Sequence, residues 1–305
     1  MNIDEDTFLA ALLPRLATGD SIVVPAGDDC AAIQWTDDRL LLLAVDQVAA
    51  GIHYLQECDP ALAGRKLLGR NLSDIAAMGG RPIYALLALA LQQECDAAWA
   101  AGFADGVLEL ADACGVKLIG GDVCAAGSAV ASLTIVGDVA TSAVCRRSGA
   151  SAGDRLLVTG RFGGSLPTGH HLHFTPRTAE GQWLAAHGVV AAMIDVSDGL
   201  LKDLGRLCAA SGVGAVVDEA AIPLSRIDNK PVDLSAAWLD GEDYELLLAV
   251  PAGAAAGLPQ DWPFETALTD VGEFVAASPA PVVDRNGRDL AGHYGLPFNH
   301  FTRGR

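Results

Sequence analysis

Asn71-Leu72-Ser73-Asp74-Ile75-Ala76-Ala77-Met78-Gly79, together with Ile194-Asp195-Val196-Ser197-Asp198-Gly199-Leu200 far downstream, decides the fold of this chain. In the first stretch a carboxylate, Asp74, interrupts an otherwise apolar helix that reads from Pro60 to Met78 and closes on Gly79-Gly80. In the second, two acids bracket the passage from a strand into a helix. Outward from these, Leu40–Val45 reads as a strand running into Asp46, and Arg81-Pro82 opens a strand through Leu91. Ile83–Leu91 is the longest apolar run and reads as a buried strand, too short for the ~18 residues of a membrane span. A helix over Asp96–Cys114 is stopped by Gly115, and a strand over Val116–Ile119 ends on Gly120-Gly121-Asp122. An amphipathic helix opens the chain at Asp4–Leu16, and Ser128–Val139 is β-rich.

The first half therefore alternates strands and helices, the mark of an α/β layer. Small and polar residues gather at Thr141–Asp154, where a domain boundary is expected, giving residues 1–145 and 146–305. The second half reads as strand Arg155–Thr159, a Gly/His-rich loop to Phe174, a helix after Pro176, strand Ala191–Ile194, helix Gly199–Ala210, strands Gly214–Val217 and Tyr244–Val250, and a Pro/Gly-rich tail. The fold class is α/β followed by α+β in two domains.

Composition narrows the function. The 305 residues are 51% hydrophobic and 19% charged, as in a compact globular protein. A net charge of −18 argues against a nucleic-acid partner or an anionic membrane surface, both of which call for a basic patch. The seven cysteines form no C-x-x-C pair, which favours reduced thiols and a cytoplasmic location. An acidic pocket would repel a nucleotide unless divalent cations stood between carboxylate and phosphate.

The acids fall where such cations could sit. Asp28-Asp29 follow Gly27 on a turn, Asp46 ends an apolar strand, Asp122 follows two glycines, and Asp195 and Asp198 flank a strand-to-helix turn. Asp28-Asp29 also reads as an ordinary turn and Asp198 as a helix cap. Asp74 has no such everyday use, because a carboxylate among Leu72, Ile75, Ala76 and Met78 is costly unless paired or bound to metal. Together they point to a multi-magnesium site of oxygen ligands. The chain lacks a G-x-x-x-x-G-K-[ST] loop, a third glycine after Gly212-x-Gly214, a G-x-S-x-G elbow and the protein-kinase signatures. His170-His171-x-His173 has no cysteine or carboxylate near it and reads as a solvated mobile loop rather than a zinc site.

These motifs, with Gly27-Asp28-Asp29-Cys30-Ala31-Ala32, Gly120-Gly121-Asp122, Arg147-Ser148-Gly149-Ala150 and Gly241-Glu242-Asp243-Tyr244-Glu245-Leu246, resemble the thiamine-monophosphate kinase family of the aminoimidazole-ribonucleotide-synthetase-like ATP-binding superfamily. The resemblance spans nearly the whole chain in the family's order. It implies magnesium at Asp29, Asp46, Asp74, Asp122, Asp195 and Asp198, with Asp29, Asp74, Asp122 and Asp198 central to catalysis. It implies ATP at Gly121, Asp122, Arg147 and Ser197, and thiamine phosphate at His53, Glu242 and Phe298. It further implies ATP and thiamine monophosphate as ligands, in-line transfer assisted by several Mg²⁺ ions, and a homodimer. The chain departs from the family pattern at Ala44-Val45 before Asp46, at Gln47-Val48-Ala49-Ala50, at Val123-Cys124-Ala125 in place of Thr-Thr-Arg, and at Asp240 in place of glycine. Two alternatives stand beside this reading: an ATP-dependent relative with another acceptor, and a non-catalytic nucleotide-binding paralogue.

Overall fold

In the computed structural model, which describes residues 5–295, a short helix α1 (Glu5–Leu12) precedes a first six-stranded sheet. That sheet uses β1 (Ile22–Val24), β2 (Ala31–Thr36), β3 (Arg39–Ala49), β4 (Arg81–Leu91), β5 (Lys117–Ala125) and β6 (Val130–Ala140) in the order β1-β2-β3-β6-β4-β5. The pairings are antiparallel except β4–β5, the one pair joined through a helix. Helices α2 (Pro60–Ala77) and α3 (Ala97–Cys114) cover one face.

α2 starts where Asp59 accepts the Ala61 N–H at 2.9 Å and Pro60 supplies the first helical residue. Leu67, Leu68, Leu72 and Ile75 anchor it in the first core. Ala76 and Ala77 turn small side chains toward Leu184, Met193, Leu246 and Leu248, so the second sheet approaches closely. α2 is thus the shared wall of both halves.

The second sheet has the order β14-β9-β13-β7-β12-β8, from β7 (Arg155–Thr159), β8 (Ala192–Val196), β9 (Val213–Val217), β12 (Glu245–Val250), β13 (Leu268–Ala276) and β14 (Val282–Asp284). A small ribbon, β10 (Arg226–Ile227) and β11 (Lys230–Pro231), lies apart. Helices α4 (Ser165–Thr168), α5 (His170–His173), α6 (Thr178–His187), α7 (Leu200–Ser211), α8 (Leu234–Leu239), α9 (Ala252–Ala255), α10 (Leu258–Asp261) and α11 (Leu290–Tyr294) belong to this half. No helix among the described residues is long and apolar enough to cross a membrane.

Four expectations change. β3 does not stop at Asp46 but runs to Ala49, because Asp46 and Gln47 alternate between its two faces without breaking the ladder. β5 likewise runs through Gly120-Gly121-Asp122. At Gly121 a β-carbon would lie 1.7 Å from the Leu87 carbonyl oxygen, so the glycine lets β4 and β5 pair closely. β4 is not wholly buried: Tyr84 and Leu86 are exposed on the helix-free face. The Gly/His-rich stretch is two helical turns rather than a mobile loop, with the His170 and His171 rings hydrogen-bonded to the Asp243 and Ser165 carbonyls at 2.9 and 3.1 Å.

Candidate active site

The cleft forms where α2 meets β8, and its floor is acidic. Carboxylate oxygens of Asp29, Asp74 and Asp195 lie within 4.8 Å of one another, although they come from the turn before β2, the last turns of α2 and the end of β8. Asp195 accepts the Ser73 hydroxyl at 2.6 Å. Asp29 accepts Arg147 Nη2 at 2.6 Å, while its second oxygen is buried without a partner. Burial, then the carboxylates of Asp46, Asp195 and Asp29, push Asp74 well above the usual carboxylate range. Burial and Asp29 do the same to Asp195, and burial with Asp29 lifts Asp28 to about 6. Like charges this close, with an orphaned oxygen among them, fit a hard divalent cation with oxygen ligands.

The wall of the cleft is built differently, from charges that are already paired. Asp46 receives Arg70 Nε and Nη2 at 3.0 and 3.3 Å. Glu242 receives the fully buried Lys66 Nζ at 2.6 Å. Burial works against ionisation of Asp198, yet Arg206 and Lys202, at 2.7 and 2.8 Å, hold its carboxyl below the usual range. Asp198 does not cap α7. Asp203 instead reaches back, its Oδ2 accepting the N–H groups of Ser197 and Asp198 at 3.1 and 2.9 Å. The Gly241–Tyr244 segment is tied to that same loop by Glu242 N–H to Ser197 O and Tyr244 N–H to Val196 O, both 2.8 Å. Glu242 and Tyr244 take φ of +58° and +53°, a left-handed backbone that costs of order 1–3 kcal/mol each.

A cavity of about 390 Å³ opens between these parts, lined by Ile52, His53, Arg70, Ser165, Leu166, Pro167, Ser197, Asp198, Asp240, Gly241 and Glu242. His53 accepts the Ala49 N–H on Nδ1 at 3.1 Å.

The structure thus brings Asp29, Asp74 and Asp195 together, with Asp46 beside Asp74, and puts His53, Ser197, Asp198 and Glu242 on one cavity. Arg147 stands beside the floor, gripping Gly27 O and Asp29 and taking Asp28 on its own N–H. Gly121 and Asp122 are not brought into this group within one copy of the chain. Asp46, Leu133, Leu87 and Gly121 form one row across the sheet, so Gly121 is three strand spacings, roughly 14 Å, from Asp46. Asp122, one residue on, points to the opposite face in the row of Gln47, Ser132 and Ala88. Phe298 lies outside the described residues. Lys66, Arg70 and Asp203 escaped the sequence reading. For the first two a signal existed: residues 66, 70, 73 and 74 share one face of a helix.

Comparison with known proteins supplies the family. Residues 27–139 match the family described as AIR synthase related protein, N-terminal domain, and residues 173–278 match its C-terminal domain. The chain is 38% identical to the thiamine-monophosphate kinase of Salmonella typhimurium over 249 residues, covering 74% of this chain and 75% of that protein. It is 38% identical to the enzyme of Rhodopirellula baltica over 288 residues, 89% of each chain. Among solved structures, thiamine-monophosphate kinase from Stenotrophomonas maltophilia superposes with a TM-score of 0.73 at 31% identity, covering 95% of this chain and 99% of that one. A ThiL complexed with AMPPCP and TMP shares the fold at a TM-score of 0.84 and 24% identity, covering 99% of each. The alternating elements, the acids that face one another across two domains and these likenesses converge, and the chain belongs to the thiamine-monophosphate kinase family of AIR synthase related proteins.

Proposed function

We propose that this enzyme transfers the γ-phosphoryl group of ATP directly onto the phosphate of thiamine monophosphate, giving ADP and thiamine diphosphate, with Mg²⁺ held at the cleft floor. The observation that carries the reading is the Asp29–Asp74–Asp195 group: three facing carboxylates with one buried unpartnered oxygen, beside a cavity between two domains. Likeness to curated thiamine-monophosphate kinases gives the acceptor.

In the transfer, an oxygen of the acceptor phosphate forms the new bond to the γ-phosphorus as the bond to the β-bridging oxygen breaks. The acceptor needs no general base, since its second pKa is about 6 and it is largely ionised at neutral pH. Bound Mg²⁺ would neutralise charge on the transferring group and template the two anions. The chain's own residues orient and exclude water: Ile52, Leu166 and Pro167 offer apolar surface for rings, and Ser165, Asp240 and Glu242 offer polar groups. Arg147 fixes the Asp29 turn, and Asp203 fixes the loop that carries Ser197 and Asp198. Asp29, Asp74 and Asp195 form the core of the proposed metal site, because their oxygens converge and Asp29, though paired with Arg147 through one oxygen, keeps its second oxygen unpartnered; Asp46 and Asp198, expected as further metal ligands, each already have a cationic partner.

We also propose a homodimer through the helix-free face of the first sheet, which exposes Val45, Tyr84 and Leu86. Seven unpaired cysteines support a cytoplasmic location. The test of function is ADP release with ATP, Mg²⁺ and thiamine monophosphate, with the product identified by chromatography. Thiamine diphosphate appearing in step with ADP is expected, and ADP release indifferent to thiamine monophosphate overturns the assignment.

A further inference from the structure

Three carboxylates line the cavity, Asp198, Asp240 and Glu242, against a single Arg or Lys side chain among its lining residues, Arg70. The carboxylates are satisfied from behind. Asp198 has Lys202 and Arg206, Glu242 has Lys66, and Asp240 accepts the Gly164 N–H at 3.0 Å. Arg70 is hydrogen-bonded on one edge only. Its Nε and Nη2 grip Asp46 at 3.0 and 3.3 Å. Its Nη1 is 3.8 Å from Glu242, beyond hydrogen-bonding range, and donates to no group among the described residues. The side chain is only 14% exposed. A mostly buried guanidinium with one edge hydrogen-bonded and the other held only by a 3.8 Å ion pair to Glu242, in the wall of a cavity, suits an oxyanion. Along α2, Arg70 lies four residues before Asp74, so it shares a helix face with the acidic floor at a distance of about one turn, ~5–6 Å.

We propose that Arg70 anchors the phosphate of the acceptor, and that Asp46 is the positioning residue that aims its free edge. The proposal rests on the kinase reading above and adds to it the group that tells a phosphorylated acceptor from its unphosphorylated parent. A lysine would keep the charge but could not hold Asp46 and a phosphate at once with the same planar fork.

Calorimetric titration with thiamine monophosphate and with thiamine, on wild type, Arg70→Met, Arg70→Lys and the Asp46→Asn/Arg70→Met double variant, tests this. The wild type is expected to favour the monophosphate at least tenfold. Arg70→Met should lose 10- to 100-fold in monophosphate affinity with thiamine binding unchanged within twofold, and Arg70→Lys should fall between. In turnover the KM for the acceptor rises while the KM for ATP stays within twofold, which also shows that the variant folds. If Arg70 serves merely to neutralise Asp46, the double variant regains monophosphate affinity, and that result overturns the proposal. So does an Arg70→Met protein that still prefers the monophosphate. A wild type that binds neither compound overturns the kinase reading itself, an outcome distinct from both.

Discussion

The floor and the wall of the cleft each set three carboxylates under different conditions. On the floor, Asp29, Asp74 and Asp195 face one another, and Arg147 relieves Asp29 alone through a close ion pair. On the wall, Asp46, Asp198 and Glu242 each have a cation within 3.0 Å. Burial raises the cost of charge in both places. The wall meets that cost from within the chain, whereas the floor leaves it for a ligand to meet. In the proposed function the floor, paired only at Asp29, is the part that takes a cation, and the paired wall is a scaffold that fixes donors.

The largest effect that would break this contrast is on the floor. Asp74→Asn should lower turnover by at least about a thousandfold, from the loss of a metal ligand. The same change should raise the melting temperature of chelator-stripped protein by about 2–4 °C, because it removes a buried like charge. A fall in that temperature would mean the floor is already balanced without a cation. Next, Asp198→Asn on the wall removes the ion pairs with Lys202 and Arg206, Arg206 keeping Asp203, and should cost about 1–3 kcal/mol in denaturant unfolding. If it stabilises as Asp74→Asn does, floor and wall are not distinct. On the far face of the first sheet, Leu86→Asp should turn a dimer into a monomer by light scattering, since Leu86 is exposed in the same row as Val45. The smallest effect is expected for Arg155→Ala, whose pairs with Asp270 and Glu273 are solvent-accessible. It should cost under ~1 kcal/mol and leave kinetics unchanged.

Much of the floor was legible in sequence, because a lone carboxylate in an apolar helix has few structural uses. Asp74 signalled a site by its cost, and Asp195 by its place at the end of an apolar strand. The wall was less legible. Lys66 and Arg70 follow the helical spacing of α2, but Arg and Lys in a helix ordinarily read as solvated surface. Only the packing of β12 and its preceding turn against α2 shows Lys66 buried beneath Glu242. Asp203 was hidden for a related reason, since its partners are backbone N–H groups whose positions the sequence does not state. The nine-residue strand β13 is hidden within the Pro/Gly-rich tail because the bulge between Asp270 and Gly272 breaks the period-two alternation. In sequence Asp46 and Asp122 mark strand ends, because polar residues after an apolar run usually do. Here the ladder continues, and alternation sends Asp46 toward α2 and Asp122 to the opposite face.

The measurement closest to the central claim is a magnesium titration of chelator-stripped enzyme, following ADP release with thiamine monophosphate and the melting temperature over the same concentrations. The account requires no turnover without metal, saturable recovery, and a melting temperature that rises over the same range as the floor carboxylates gain their cation. Turnover that persists in chelator, or recovery with no change in melting temperature, would contradict it.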